Sequence, residues 1–177
     1  VKNLRHYSIS HVGLKIGIHH FQYDIDSRFF KEFEGALIDE CNVKVKLELE
    51  KKETLFILNF FIDGIVKVIC DRCSEPFDKN IFADYQCLVK YREERDPAIE
   101  DTDEIIFISR EDPFIDVSQL IYDYINLSLP MQKIHPDLAD GTSGCNPEII
   151  KYLNVRVEEE IKADPRWEAL KKFKSDN

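Results

Sequence analysis

Cys70-Asp71-Arg72-Cys73 is the stretch of this chain best suited to chemistry. Two thiolates separated by two residues in a tight turn can grip one tetrahedral metal ion, because the turn brings both sulfurs to one point. A closed site needs two more donors. The candidates outside strands are His135 and Cys145, in the loop that follows Pro130, with nine residues between them. Zn is the metal such a set would hold, and an ion gripped by all four would staple the distant loop to the turn and add its binding free energy to folding. Two other readings of Cys70 and Cys73 stand beside this one: a pair of bare thiols in a turn, and a thiol-redox pair. A redox pair is expected at the start of a helix after a strand, whereas here the pattern runs from strand to strand. Cys41 and Cys87 sit among apolar strand residues and read as core fillers.

Other residue types offer less. Asp101, Asp103, Glu104, Glu111, Asp112 and Asp116 lack the ligand spacing of a calcium loop and read as a solvated acidic stretch. His6, His11, His19 and His20 read as surface histidines. The chain has no Gly-rich phosphate loop, no G-x-S-x-G and no H-E-x-x-H, so no enzyme is expected and no small-molecule substrate.

The elements that must position the cysteines follow from periodicity. Val43, Val45, Leu47 and Leu49 alternate with Lys44, Lys46, Glu48 and Glu50, a period of two that predicts a half-buried antiparallel strand. Leu55 to Cys70 is rich in Phe, Ile and Val, and Asp63-Gly64 either bends one long strand or turns it into a hairpin. Phe77 to Tyr91 and Ile105 to Ile108 read as further strands, separated by an acidic loop from Arg92 to Asp103. Upstream, Tyr7 to Ile18 suits an edge strand or a bent extended arm. Asp26 to Phe33 suits a short capped helix with Phe29, Phe30 and Phe33 on one side. Downstream, Val117, Leu120, Ile121, Tyr124 and Ile125 share a helical face that Pro130 ends. Asn146-Pro147 opens another helix through Leu153, and Asp164-Pro165 a last one. The expected fold class is α+β: an antiparallel β meander or partly closed barrel with mostly C-terminal helices. One domain is expected over 1–177, with an N-terminal arm and short helix (1–40), the sheet carrying the C-x-x-C turn (41–110) and a helical C-terminal part (111–177).

Composition fits that picture. The 177 residues are 44% hydrophobic and 33% charged, enough to bury a core, so disordered and fibrous classes are excluded. Five cysteines cannot all pair within one chain, and no apolar run is long enough for a membrane span or a leader. A cytoplasmic protein is expected. Lys and Arg number 24 against 34 Asp and Glu, a net charge of −10 that disfavours coating of phosphate backbones by overall charge. The charge is lopsided: residues 1–23 carry no acid, while residues 92–123 hold eleven acids and three bases. RNA contact would use one face, with Lys2, Arg5 and Lys15 as candidates on the arm. The acidic stretch would suit a basic protein.

The order of these features resembles the YceD family, the large ribosomal RNA subunit accumulation proteins. The resemblance rests on Cys70-Asp71-Arg72-Cys73-Ser74-Glu75-Pro76-Phe77 at a strand end, Ile115-Asp116-Val117 opening a helix, and Leu129-Pro130 closing it. It continues through His135, Cys145-Asn146 and Asp164-Pro165-Arg166-Trp167-Glu168-Ala169-Leu170. It covers residues 40 to 173, and its specific part is the C-x-R-C-x-x-P-[FV] motif with the downstream Leu-Pro. It implies a non-enzymatic, metal-binding protein acting in accumulation or processing of large-subunit (23S) ribosomal RNA, with ribosomal RNA precursor or a ribosomal protein as partner. It also implies that Cys70, Cys73 and Cys145 occupy the family's cysteine positions, with His135 where members carry His or Cys. The chain departs from the pattern in one place: many members have a second C-x-x-C after Leu-Pro, and here Ser143-Gly144-Cys145 leaves one cysteine. A thiol-redox protein and a purely structural zinc-stapled adaptor are the alternative readings.

Overall fold

The protein is described from a computed structural model over residues 4–92 and 105–154. A 3-10 turn, Leu4–Tyr7, leads into β1 (Ser8–Ser10), and after a bend the chain enters β2 (Gly17–Asp26). A short helix α1 (Ser27–Phe30) precedes three long strands, β3 (Cys41–Lys51), β4 (Leu55–Ile69) and β5 (Pro76–Tyr91). Then come β6 (Ile105–Ile108), β7 (Phe114–Asp116), α2 (Ser118–Leu127) and α3 (Pro147–Asn154).

The sheet runs β2-β3-β4-β5-β6, with β2 and β6 at opposite edges, so it stays open and is not a closed barrel. β2 through β5 form the expected antiparallel meander. β6 differs. It lies parallel to β5, with Leu88 opposite Ile105 and Tyr91 opposite Ile108. Alternation identifies a strand but not its direction, and the span between Tyr91 and Ile105 is long enough for the crossover that a parallel pair needs. The acidic loop within that span lies outside the described residues, as do Lys2 and the helix expected from Asp164.

Periodicity singled out neither β2 nor β7, and Ile115-Asp116, expected to open a helix, lie in β7, with α2 starting at Ser118. In β2, Phe21, Tyr23 and Ile25 point toward the core while His20, Gln22 and Asp24 are exposed, a period of two that the glycines and adjacent histidines before it obscured. Tyr7 to Ile18 splits: Ser8–Ser10 pairs with β7 as a separate two-stranded ladder. Gly64 does not make a hairpin, since β4 is one continuous strand. A Cβ there would stand 2.4 Å from the Asn42 carbonyl oxygen and 2.5 Å from Val43 Cα, so only glycine lets β3 pass so close.

One face of the sheet is sealed. Val43, Val45, Leu49, Leu58, Phe60, Ile62 and Val89 are fully buried there, facing Phe30, Ile121 and Ile125 from the helices. Tyr124 of α2 stacks on Tyr85 at 4.6 Å and meets Phe60 edge-on. α2 starts where the Asp116 carboxylate accepts from the Ser118 N–H at 2.9 Å. It ends at Ser128, whose hydroxyl donates to the Tyr124 carbonyl. α1 is shorter than the expected Asp26 to Phe33, but Phe33 still stacks on Tyr122 at 4.3 Å.

Candidate metal centre

The turn between β4 and β5 has little freedom. The Cys70 N–H donates to the Glu75 carbonyl and the Ser74 N–H to the Cys70 carbonyl, both at 2.9 Å. Ser74 adopts a left-handed φ of 59° to close the turn. That closure turns the Cys70 and Cys73 side chains inward, and both are only 1% exposed. The Arg72 N–H points at the Cys70 sulfur from 3.4 Å.

A second loop comes to meet it. The Asp71 N–H donates to the Lys133 carbonyl and the Asp71 carboxylate accepts the Lys133 N–H, each at 2.7 Å. Beyond Lys133 the chain folds back on itself, with Asp137 bridged to Ser143 and the Leu138 N–H donating to the Thr142 carbonyl. His135 and Cys145 are therefore brought together across the neck of this hairpin. Gly144 makes the neck possible: a Cβ on it would lie 2.3 Å from the Pro136 carbonyl oxygen. Asn146 caps α3 by accepting the Glu148 N–H, and its amide donates to the Glu75 carboxylate at 2.6 Å, tying the second loop to the first. Ile149 and Ile150 of α3, Ile134 and Phe77 shield the sulfurs, and the Phe77 ring lies 4.5 Å from that of His135.

All four candidate donors converge. The ligand atoms of Cys70, Cys73, His135 and Cys145 lie within 4.8 Å of one another. Cys70 Sγ is 3.7 Å from Cys145 Sγ, and Cys73 Sγ is 3.4 Å from His135 Nδ1. In a tetrahedron with metal–sulfur bonds of about 2.3 Å and metal–nitrogen bonds of about 2.0 Å, S···S and S···N separations are about 3.8 and 3.5 Å. The Cys70–Cys145 and Cys73–His135 separations match those values. A sulfur pair at 3.7 Å is also far too long for a disulfide, and the five cysteines are free. Three soft sulfurs and one imidazole in a buried pocket fit a metal ion, and by donor type they suit a closed four-coordinate site.

The electrostatics already favour a thiolate. Burial opposes charge on Cys70, but N–H groups of Cys73, Arg72 and His135 aimed at the sulfur outweigh it and hold its pKa down to about 5. At Cys145 the Ser143 hydroxyl pulls the thiol down, yet burial and the Cys70 and Cys73 sulfurs together leave it raised. Cys41 is raised to about 11 by burial and then by Asp26, as suits a thiol with a packing role. Cys87 is fully buried.

A family model described as large ribosomal RNA subunit accumulation protein YceD matches residues 58–174. The chain belongs to the YceD family. The match takes in β4 from Leu58 onward, β5 and all four donors, and starts later than the resemblance read from residue 40. No curated protein and no solved structure matches the chain.

The other candidate residues fare differently. Arg5 is exposed in the turn before β1 and Lys15 is exposed in the bend after it, so β1 separates them. His11 is not a surface residue: at 3% exposure it packs against Phe56 and Tyr91, and its Nε2 lies 2.7 Å from the Asp112 carbonyl. A short run of alternating residues gave no sign of that long-range bond. Asp112 and Asp116 accept backbone N–H groups of Ser109 and Ser118, which makes them turn residues. No helix of the described residues is long and apolar enough to cross a membrane.

Proposed function

We propose that this chain is a non-enzymatic factor in the accumulation of large-subunit ribosomal RNA, acting on precursor RNA or a ribosomal protein, with a zinc ion held by Cys70, Cys73, His135 and Cys145. The observation that carries this reading is the family match over residues 58–174, which takes in the whole donor set. A zinc ion with three thiolates and an imidazole supplies a structural crosslink. With all four positions filled by protein, none is open to a substrate. The chain's own residues do the rest. The β4–β5 turn, the hairpin neck at Gly144 and the Asn146–Glu75 bond hold two segments, 62 or more residues apart in sequence, in one place.

The depressed Cys70 thiol favours a second reading, thiol-redox use of Cys70 and Cys73. Burial of both sulfurs and their closeness to His135 and Cys145 weigh toward the brace. Crosslinking and immunoprecipitation of the tagged protein, with sequencing of bound RNA and identification of co-purified proteins, tests the functional reading. Enrichment of large-subunit precursor RNA or its proteins over a charge-matched control is expected. No enrichment would overturn it.

A further inference from the structure

The second face of the sheet carries neither helix nor loop among the described residues, and its chemistry is specific. Cross-strand register sets Phe61 opposite Asp84 and Asp63 opposite Phe82, so two phenyls and two carboxylates alternate on neighbouring squares of β4 and β5. Phe82 is 79% exposed and Phe61 45%, far more than core residues of the same type. Ile65 and Ile69 are exposed on the same face of β4, with Lys67 between them. Beside it lies an open depression of about 580 Å³ lined by Asn42, Lys44, Asp63, Ile65, Asn80 and Phe82. Asp63 and Asp84 take part in none of the ion pairs among the described residues.

We propose that this face binds an extended, arginine- and lysine-rich segment of a partner protein. Three features point to that occupant. An exposed phenyl attracts a cationic side chain over its ring, and a neighbouring carboxylate pairs with the same charge. The spacing fits as well. Diagonal cross-strand positions are about 7–8 Å apart, and alternate side chains of an extended segment repeat at about 6.6–6.8 Å. Basic residues at alternate positions would therefore reach Asp63 and Asp84 together.

The third feature is charge. Arg28 pairs with Asp26, Lys52 with Glu50 and Glu40 with Lys67, and beyond these pairs Asp24, Glu48, Asp63, Asp78 and Asp84 outnumber Lys44, Lys46 and Lys90 on this face. Unpaired bases could also stack on the phenyls, but the remaining surplus of five carboxylates over three ammonium groups repels phosphate. The same surplus opposes pairing with a second copy of the face. The inference rests on the reading of a ribosome-linked factor only in the identity of the partner, not in the chemistry of the surface.

The test is fluorescence anisotropy with the full chain loaded with zinc, using a labelled nine-residue peptide of alternating arginine and glycine. Oligo(U) of fifteen nucleotides is the competing probe. Asp63→Asn with Asp84→Asn is expected to weaken peptide binding about tenfold or more, and Phe82→Ser several-fold. Lys44→Gln with Lys46→Gln is expected to strengthen it, because these lysines flank the site with like charge. Glu34→Gln with Glu53→Gln removes the same charge as the first pair, away from this face, and should leave affinity nearly unchanged. Circular dichroism and zinc content show that each variant is folded. Three outcomes would overturn the proposal: equal weakening by the two acid-to-amide pairs, weakening by the lysine pair, or oligo(U) binding lost with Phe82→Ser. Sedimentation showing a dimer dispersed by Phe82→Ser would also overturn it. Peptide binding without precursor enrichment in cells would sink the ribosomal reading and leave this inference standing. Precursor enrichment without peptide binding would do the reverse.

Discussion

Replacing Gly144 with alanine should uncouple the metal centre without touching a donor. The new Cβ would sit 2.3 Å from the Pro136 carbonyl oxygen, and that oxygen is backbone, so it cannot swing away as a side chain would. Reaching ordinary contact at 3.4 Å requires a shift of about 1.1 Å in the neck of the hairpin that holds His135 and Cys145. Metal sites tolerate deviations of about 0.2 Å in ligand distance, several-fold less than this shift. The expected loss in zinc affinity is therefore at least that of a typical supporting-shell change, about 10- to 100-fold. The assay is competitive zinc titration against a chromophoric chelator, on protein first stripped of metal. Gly141→Ala is the matched control: φ of 80° strains an alanine by about 1–2 kcal/mol, but no atom lies within 4 Å of its Cβ. It should lower stability and keep zinc affinity. Gly13→Ala, with open space and no left-handed φ, should change neither. Wild-type zinc affinity in Gly144→Ala, or equal losses in Gly144→Ala and Gly141→Ala, would refute the reasoning.

Three further outcomes are expected. Chelation should lower the melting temperature of the native protein, and Cys145→Ser should abolish that dependence on chelator, read by differential scanning calorimetry. In metal-free protein the Cys70 thiol is depressed to about 5, below its unfolded value of about 8.5. Its contribution to stability is therefore full above that unfolded value and lost as pH falls through about 5; urea melts of wild type and Cys70→Ala across this window should diverge with rising pH. Phe60→Ala should cost about 3–5 kcal/mol in the same melts, since Phe60 is fully buried between Tyr124 and the sheet.

The sequence made some of this legible for clear reasons. Alternation in β3 and the helical stripe of α2 were plain because each element buries one face only. The C-x-x-C turn announced two donors, and the other two could be picked out only because few soft ligands lie outside strands. Their convergence depends on hydrogen bonds between Asp71 and Lys133, one to a backbone carbonyl and one to the Asp71 carboxylate, and such pairing leaves no local pattern. The direction of β6 was hidden for a related reason, since it is set by the path of the preceding connection. His11 was misread as a surface group because a lone polar residue reveals nothing of a partner far along the chain. The Phe and Asp checkerboard on the outer face is likewise a product of register, invisible until β4 and β5 are laid side by side.

The most direct test is a zinc-edge X-ray absorption spectrum of the chain purified without added metal. One zinc per chain is expected, with three sulfurs at about 2.3 Å and one nitrogen at about 2.0–2.1 Å. A metal-free protein, or a shell dominated by oxygen, would contradict the claim that these four side chains form a structural brace.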